Sequence, residues 1–205
     1  MKSVLSPRRA LVTVGLGALT LSCAAAGVSS AAAGSGIAAV TPQHTVKASL
    51  IARRPGTLKP GSTVGATTLG QRVFIDAKHG FALASAGQAQ YPAATTNGGA
   101  SWRTDGPALH IDAAQAPLSV TDLGVANLKT IYAYGSGQVI DTTGDGGKHW
   151  YGALFNGLVM AVVRGSNGRL VAFVDGSAGS SGVTWQYISK NGGRTWTYDP
   201  KVGGF

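Results

Sequence analysis

From about residue 70 onward, apolar positions alternate with polar or small ones in short runs. "RVFID", "FALAS" and "QYPAAT" come first, "LGVAN", "TIYAY" and "VIDTT" follow, and "GLVMAVV", "RLVAFV" and "TWQYIS" close the series. Alternation with a period of two predicts half-buried β-strands. The runs are parted by turn-formers such as "AKHG", "GSGQ" and "GSNG", as hairpins require. No segment after the first 33 residues spaces its apolar positions as a helix would. The predicted class is all-β.

Each trio of runs ends in the same short segment: "TTNGGASW", "TGDGGKHW" and "SKNGGRTW". All three obey Ser/Thr-x-Asp/Asn-x-Gly-x-x-Trp. The positions are Thr95, Asn97, Gly99 and Trp102; Thr143, Asp145, Gly147 and Trp150; and Ser189, Asn191, Gly193 and Trp196. The tryptophans stand 48 and 46 residues apart and are three of the chain's four. A fourth run follows each one, as "WRT", "WYGAL" and "WTYD". Four strands at such a period form one propeller blade. Blades are expected over residues 70–115, 116–156 and 157–205.

The chemistry of the segment suits a turn. An Asp or Asn side-chain oxygen accepts N–H groups just ahead of it. Glycine admits a positive φ that a side chain would make costly. A Ser/Thr hydroxyl closes the turn from its other side, and the Trp ring buries a large apolar area between sheets. The second segment has His149 where the others have Ser101 and Thr195, which puts one hydroxyl-mediated bond in doubt.

These segments resemble the Asp-box, or bacterial neuraminidase repeat, of the β-propeller proteins that include sialidases, sortilin-type receptors and photosystem II assembly factors. The resemblance covers roughly residues 72–199. It implies a box at the turn between the third and fourth strands on the outer part of a blade. It says little about activity, since enzymes and non-enzymes both carry the motif.

Before the repeats, Lys2, Arg8 and Arg9 precede an apolar run and the small-residue stretch "SSAAAG". This is the pattern of a cleaved export signal over residues 1–33, Sec-type or Tat-like, rather than a stable transmembrane anchor. The expected location is secreted or cell-envelope associated. Cys23 is the chain's one cysteine. It offers a lipidation site as the alternative to cleavage after Ala33, although Thr20 stands where a lipoprotein box wants Leu. Removing the leader lowers the formal charge from +9 to about +6. The remaining Lys and Arg are scattered apart from "ARRPGTLK", which argues against nucleic acid and for loose attraction to acidic polymers.

Catalytic constellations fare poorly. "GDGGKHW" lacks the first Gly and the Ser/Thr of a phosphate-binding loop. Asp141, Thr143 and Asp145 are spaced like the start of a calcium loop, but Gly152 occupies the position of its bidentate Glu. The histidines (His44, His79, His110, His149) show no metal-ligand spacing. No metal and no cofactor are expected. The chain contains no glutamate at all, so the Glu partner that a sialidase's nucleophile implies has no residue to fill it. An endoglucanase-like site would draw on aspartates, of which Asp76, Asp122 and Asp175 are the candidates, each at a strand end or hairpin where Asp commonly serves the turn. Trp185, eleven residues before Trp196 like Tyr91 and Val139 before their own boxes, is the aromatic best suited to a surface platform, with core packing as the alternative.

Three boxed units fall short of the four blades of the smallest closed propellers. Residues 34–69 contain "TVKASLIARR" and "STVGATTL", enough for a partial fourth blade. The expected fold is a small or incomplete β-propeller of three to four four-stranded antiparallel blades. Its open sheet edges invite self-association; a ring completed by another copy and a fragment of a longer enzyme are the other outcomes. The function expected is non-catalytic binding or scaffolding at the cell envelope, with a glycan or envelope protein as partner. The alternative is a glycoside hydrolase, sialidase-like or endoglucanase-like, or its degenerate remnant.

Overall fold

The computed structural model describes residues 40–87, 89–109, 122–135, 137–176 and 182–202. The leader with Cys23 and Ala33, and also His110 and Asp112, lie outside the described residues. Three very short strands come first: β1 (Thr45–Lys47), β2 (Ser49–Leu50) and β3 (Thr63–Val64). Then follow β4 (Leu69–Phe74), β5 (Gly80–Ala86), β6 (Ala89–Thr95) and β7 (Trp102–Thr104). The next four are β8 (Asp122–Val125), β9 (Ile131–Tyr134), β10 (Val139–Thr143) and β11 (Tyr151–Leu154). The last are β12 (Leu158–Arg164), β13 (Leu170–Asp175), β14 (Thr184–Ser189) and β15 (Thr195–Asp199).

The strands form three antiparallel sheets, in the orders β3-β7-β6-β5-β4, β2-β11-β10-β9-β8 and β1-β15-β14-β13-β12. In each, four strands run up and down consecutively, because the turns between them are short and carry hairpin chemistry. The fifth strand comes from the N-terminal segment. Residues 45–64 form no fourth blade. They run as a strap along the outer edges of all three sheets, in reverse order. Val46 pairs with Trp196, Leu50 with Tyr151 and Val64 with Trp102. Each box Trp thus lies within one residue of the start of β7, β11 or β15, whose outward N–H and C=O groups the strap satisfies, closing the outer edge of each sheet. The sheets therefore have five strands where four were expected.

Alternation sets how the sheets stack. One face of the first sheet (Phe81, Leu83) packs against Leu123, Ile131, Ala133 and Trp150 of the second. The opposite face of the second (Tyr132, Ile140, Ala153, Phe155) packs against Leu170, Ala172, Val174, Tyr187 and Trp196 of the third. Phe155 meets Tyr187 and Trp196 edge-on, at centroid distances of 5.0 and 5.8 Å, a favoured aromatic geometry. Two sheet faces lie at the ends of this series, and they are treated differently. On the first sheet, Ala82, Ala84, Ala93 and Trp102 are covered by Leu58, Val64 and Leu69, and the Leu58 N–H donates to the Tyr91 hydroxyl. On the third sheet, β12 ends the sheet beside β13, and its Leu158, Met160 and Val163 are 46%, 61% and 42% exposed. The arc is capped at one end and bare at the other.

Candidate functional site

The boxed turns share one hydrogen-bond scheme. The hydroxyls of Thr95, Thr143 and Ser189 accept the N–H of Gly99, Gly147 and Gly193 at 3.0, 3.0 and 2.9 Å. They donate to the Oδ1 of Asn97, Asp145 and Asn191 at 2.8, 2.9 and 3.0 Å. That Oδ1 accepts the N–H of the residue before Trp, at 3.0 Å in all three boxes. Gly99, Gly147 and Gly193 have φ of +88°, +82° and +86°, a region that favours glycine. The Trp rings are at most 3% exposed. His149 substitutes for the missing hydroxyl in its own way. Its Nδ1 lies 2.7 Å from Asp145 Oδ2, where the first box has Asn97 Nδ2 donating to Ser101 Oγ at 2.9 Å. Ser189→Ala would strand the buried Gly193 N–H; the expected loss is about 1–2 kcal/mol in chemical denaturation.

The boxes also join neighbouring sheets. A Cβ on Gly147 would lie 2.4 Å from Asp105 Cγ, and one on Gly193 would lie 2.2 Å from Thr142 Oγ1. Each of these turns is seated on the sheet before it. Trp150 Nε1 donates to the Asp105 carbonyl at 2.9 Å, while Trp196 Nε1 is buried without a partner. Gly147→Ala combines a strained φ with that close approach, and is expected to cost about 1–3 kcal/mol, read as a lower thermal midpoint.

At the first of these junctions the sheets leave a cleft of about 390 Å³. Its walls carry Thr95, Thr96, Ser101 and Thr104, with Arg103 and Lys148 at the rim and Asp105 at its base. Burial, and secondarily the charge of Asp145, push the Asp105 carboxyl up to about 7. Burial also acts to raise Asp145, but hydrogen bonds from the His149 side chain and N–H and from Thr143 outweigh it and hold that carboxyl below its usual value. Two carboxyl groups of opposite tendency thus stand near one hydroxyl-rich, basic-rimmed cleft. The sequence singled out neither Asp105 nor the cleft. The burial of Asp105 depends on Gly147, which is distant in sequence.

The remaining candidates are dispersed. Asp76 caps its own turn: Oδ1 accepts the N–H of Lys78 and His79, both at 2.7 Å. The His79 N–H, then that of Lys78, then the His79 side chain lower its carboxyl to about 2. Asp122 and Asp175 sit at the start of β8 and the end of β13, away from that turn in sequence and on different sheets. Asp141, which the spacing put at the head of a calcium loop, is buried within β10 with Oδ1 unpartnered, and burial raises its carboxyl well above the usual range. Trp185 is 3% exposed and packs in the core, so it forms no surface platform. Among the described residues, no group of three His, Cys, Asp or Glu side chains is placed to hold a metal ion, and no helix is long and apolar enough to cross a membrane.

No family model matches the chain, and no curated protein matches it. Among solved structures it is similar to "YCF48 bound to D1 peptide", with 20% identity and a TM-score of 0.33. The match covers 77% of this chain and 60% of that one. The chain thus spans about 60% of the length of the solved structure it matches. Its own geometry is that of an all-β, incomplete propeller with three five-stranded blades.

Proposed function

We propose that this is an exported, non-catalytic Asp-box repeat protein that binds a glycan of the cell envelope in the cleft between its first and second blades. The observation that carries this reading is the cleft itself. Thr96, Ser101, Arg103, Lys148 and the Asp105 carboxyl line about 390 Å³, a donor and acceptor set suited to a polyhydroxylated, acidic ligand. The Thr95 and Thr104 hydroxyls are held by Asn97 and Gly99 and by Ser62 and Lys59. The basic excess of the chain favours the same class of polymer, and the leader motivates export. Mass spectrometry of the product from a secreting host would distinguish cleavage after Ala33 from lipidation at Cys23.

A glycan array followed by calorimetry tests the reading. Lys148→Ala should weaken binding while leaving the melting temperature in place, since that side chain is exposed, whereas Arg103 also donates to the strap's Gly61 carbonyl. A blank array for the unaltered chain would remove the proposal. Hydrolysis is the second reading: it would take Asp105, whose carboxyl burial raises at the cleft, as its acid, whereas Asp145 is held by its own turn. Release of reducing ends from a bound polysaccharide, lost in Asp105→Asn, would select that reading instead.

A further inference from the structure

Among the described residues, the three blades present three seats for a boxed turn and three turns to fill them, and two of each are mated. The turn of the second blade sits on the first blade, with Gly147 against Asp105. The turn of the third sits on the second, with Gly193 against Thr142, and Gly192 so near Gly144 that a Cβ there would lie 3.0 Å from its Cα. Gly147 and Gly193 are accordingly buried. At this second junction the residue two before the Trp reaches back over the preceding blade: the Arg194 guanidinium stands 4.8 Å from the centre of the Tyr151 ring, the residue after Trp150.

The unmated seat is on the third blade. An open groove of about 470 Å³ is lined there by Ile188, Lys190, Thr195, Thr197 and Asp199. Counted from the box Trp, these are the positions held in the first cleft by Ala94, Thr96, Ser101, Arg103 and Asp105. The groove is the first cleft without the next blade's turn upon it. The unmated turn is the first box. Gly99 is only half-buried, the three atoms nearest a Cβ placed there belong to Phe74 and Trp102 of its own sheet, and Ala100 is exposed. Phe74 stacks edge-on against Trp102, yet it and the adjoining Ile75 remain 47% and 41% exposed. The segment around Leu58 covers the middle of that face and leaves this rim uncovered.

We infer that the first boxed turn of one copy of this chain docks in the third-blade groove of a second copy, head to tail. The two internal junctions supply the template for the contact, in which Ala100 of one copy lies over Thr197 of the other as Arg194 lies over Tyr151. A heterologous contact of this kind closes only when the rotation allows it; two copies joined at both junctions would form a six-bladed ring.

Sedimentation over a dilution series from the micromolar range upward should show a species of twice the monomer mass. Ile188→Arg, at the half-buried groove position that corresponds to Thr142 beneath Gly193, should remove that species without changing the far-ultraviolet dichroism. The register is tested in a Cys23→Ser background by mixing Ala100→Cys chains with Thr197→Cys chains under mild oxidation. The mixed disulfide should dominate. A monomer at every concentration overturns the inference. So does predominance of Ala100–Ala100 or Thr197–Thr197 disulfides, which would signify symmetric pairing, or survival of the dimer in Ile188→Arg. Failure of glycan binding would leave this result unaffected, because the groove and the cleft are on different blades.

Discussion

Trp150→Ala is expected to lower the unfolding free energy by about 3–5 kcal/mol, read from the midpoint of urea denaturation at unchanged slope. The ring is fully buried, in the cluster that joins Phe81 and Leu83 of the first blade to Leu123 and Ile131 of the second. Its removal opens a cavity between two sheets held by their own ladders, so collapse around it is limited. The loss has a polar part as well, since Trp150 Nε1 serves the Asp105 carbonyl. Trp196 offers the internal control. It is equally buried, but its Nε1 has no partner. Trp150→Phe should therefore cost more than Trp196→Phe, by about 1 kcal/mol for the extra hydrogen bond. A loss below about 1 kcal/mol in Trp150→Ala would mean that the ring does not bridge the blades.

Asp105→Asn carries the second large effect, and its sign depends on pH. The folded-state carboxyl titrates near 7, against an ordinary value of 3.8. Below the ordinary value both states are protonated, and the variant should match the original chain. Between the two values the folded chain keeps a proton that the unfolded chain releases, so the original chain loses stability as pH rises through this window. Above about 7 the penalty is complete. The shift has a ceiling of about 4 kcal/mol, and partial solvent access brings the expected gain of the amide variant to on the order of 1–3 kcal/mol at pH 8. Denaturation curves for both chains at pH 4 and pH 8 decide it. Equal stability at both pH values would show that Asp105 is not desolvated by the seated turn.

The contrast between the boxes and Asp105 shows which parts of this molecule are legible in one dimension. A boxed turn is written within eight residues. Ser/Thr, Asp/Asn and Gly bond to one another locally, so the spacing of Thr95, Asn97, Gly99 and Trp102 reveals turn and blade together. Strap strands such as Ser49–Leu50 have no such code. Two residues alternate with nothing, and they become a strand only because Tyr151 and Gly152 offer an edge. "TVKASLIARR" therefore suggested the start of a fourth blade when its actual partners were the outer rims of blades already counted. The cleft was illegible for the same reason: Asp105 at its base and Gly147 in the turn that roofs it lie 42 residues apart, brought together by packing alone. His149 lay between these extremes. The lost hydroxyl was visible, but its replacement by a ring nitrogen on Asp145 required the geometry.

The strap also inverts the order in which the chain is made. β3 can find β7 once residue 104 exists, and β2 can pair when β11 follows, but β1 must wait for β15. Of the described strands, the one synthesised first is the last to be paired, across the widest separation in sequence of any strand pair among them. Contacts of such separation are slow to form, because closure entropy is spent before they return any stabilisation. Folding should therefore end in a distinct slow phase, in which Val46 closes over Trp196, and Val46→Ala should speed unfolding more than it slows the earlier steps. On a ribosome, β1 stays unpaired until β15 has emerged, so the outer edge of the third blade is the one left open longest during synthesis.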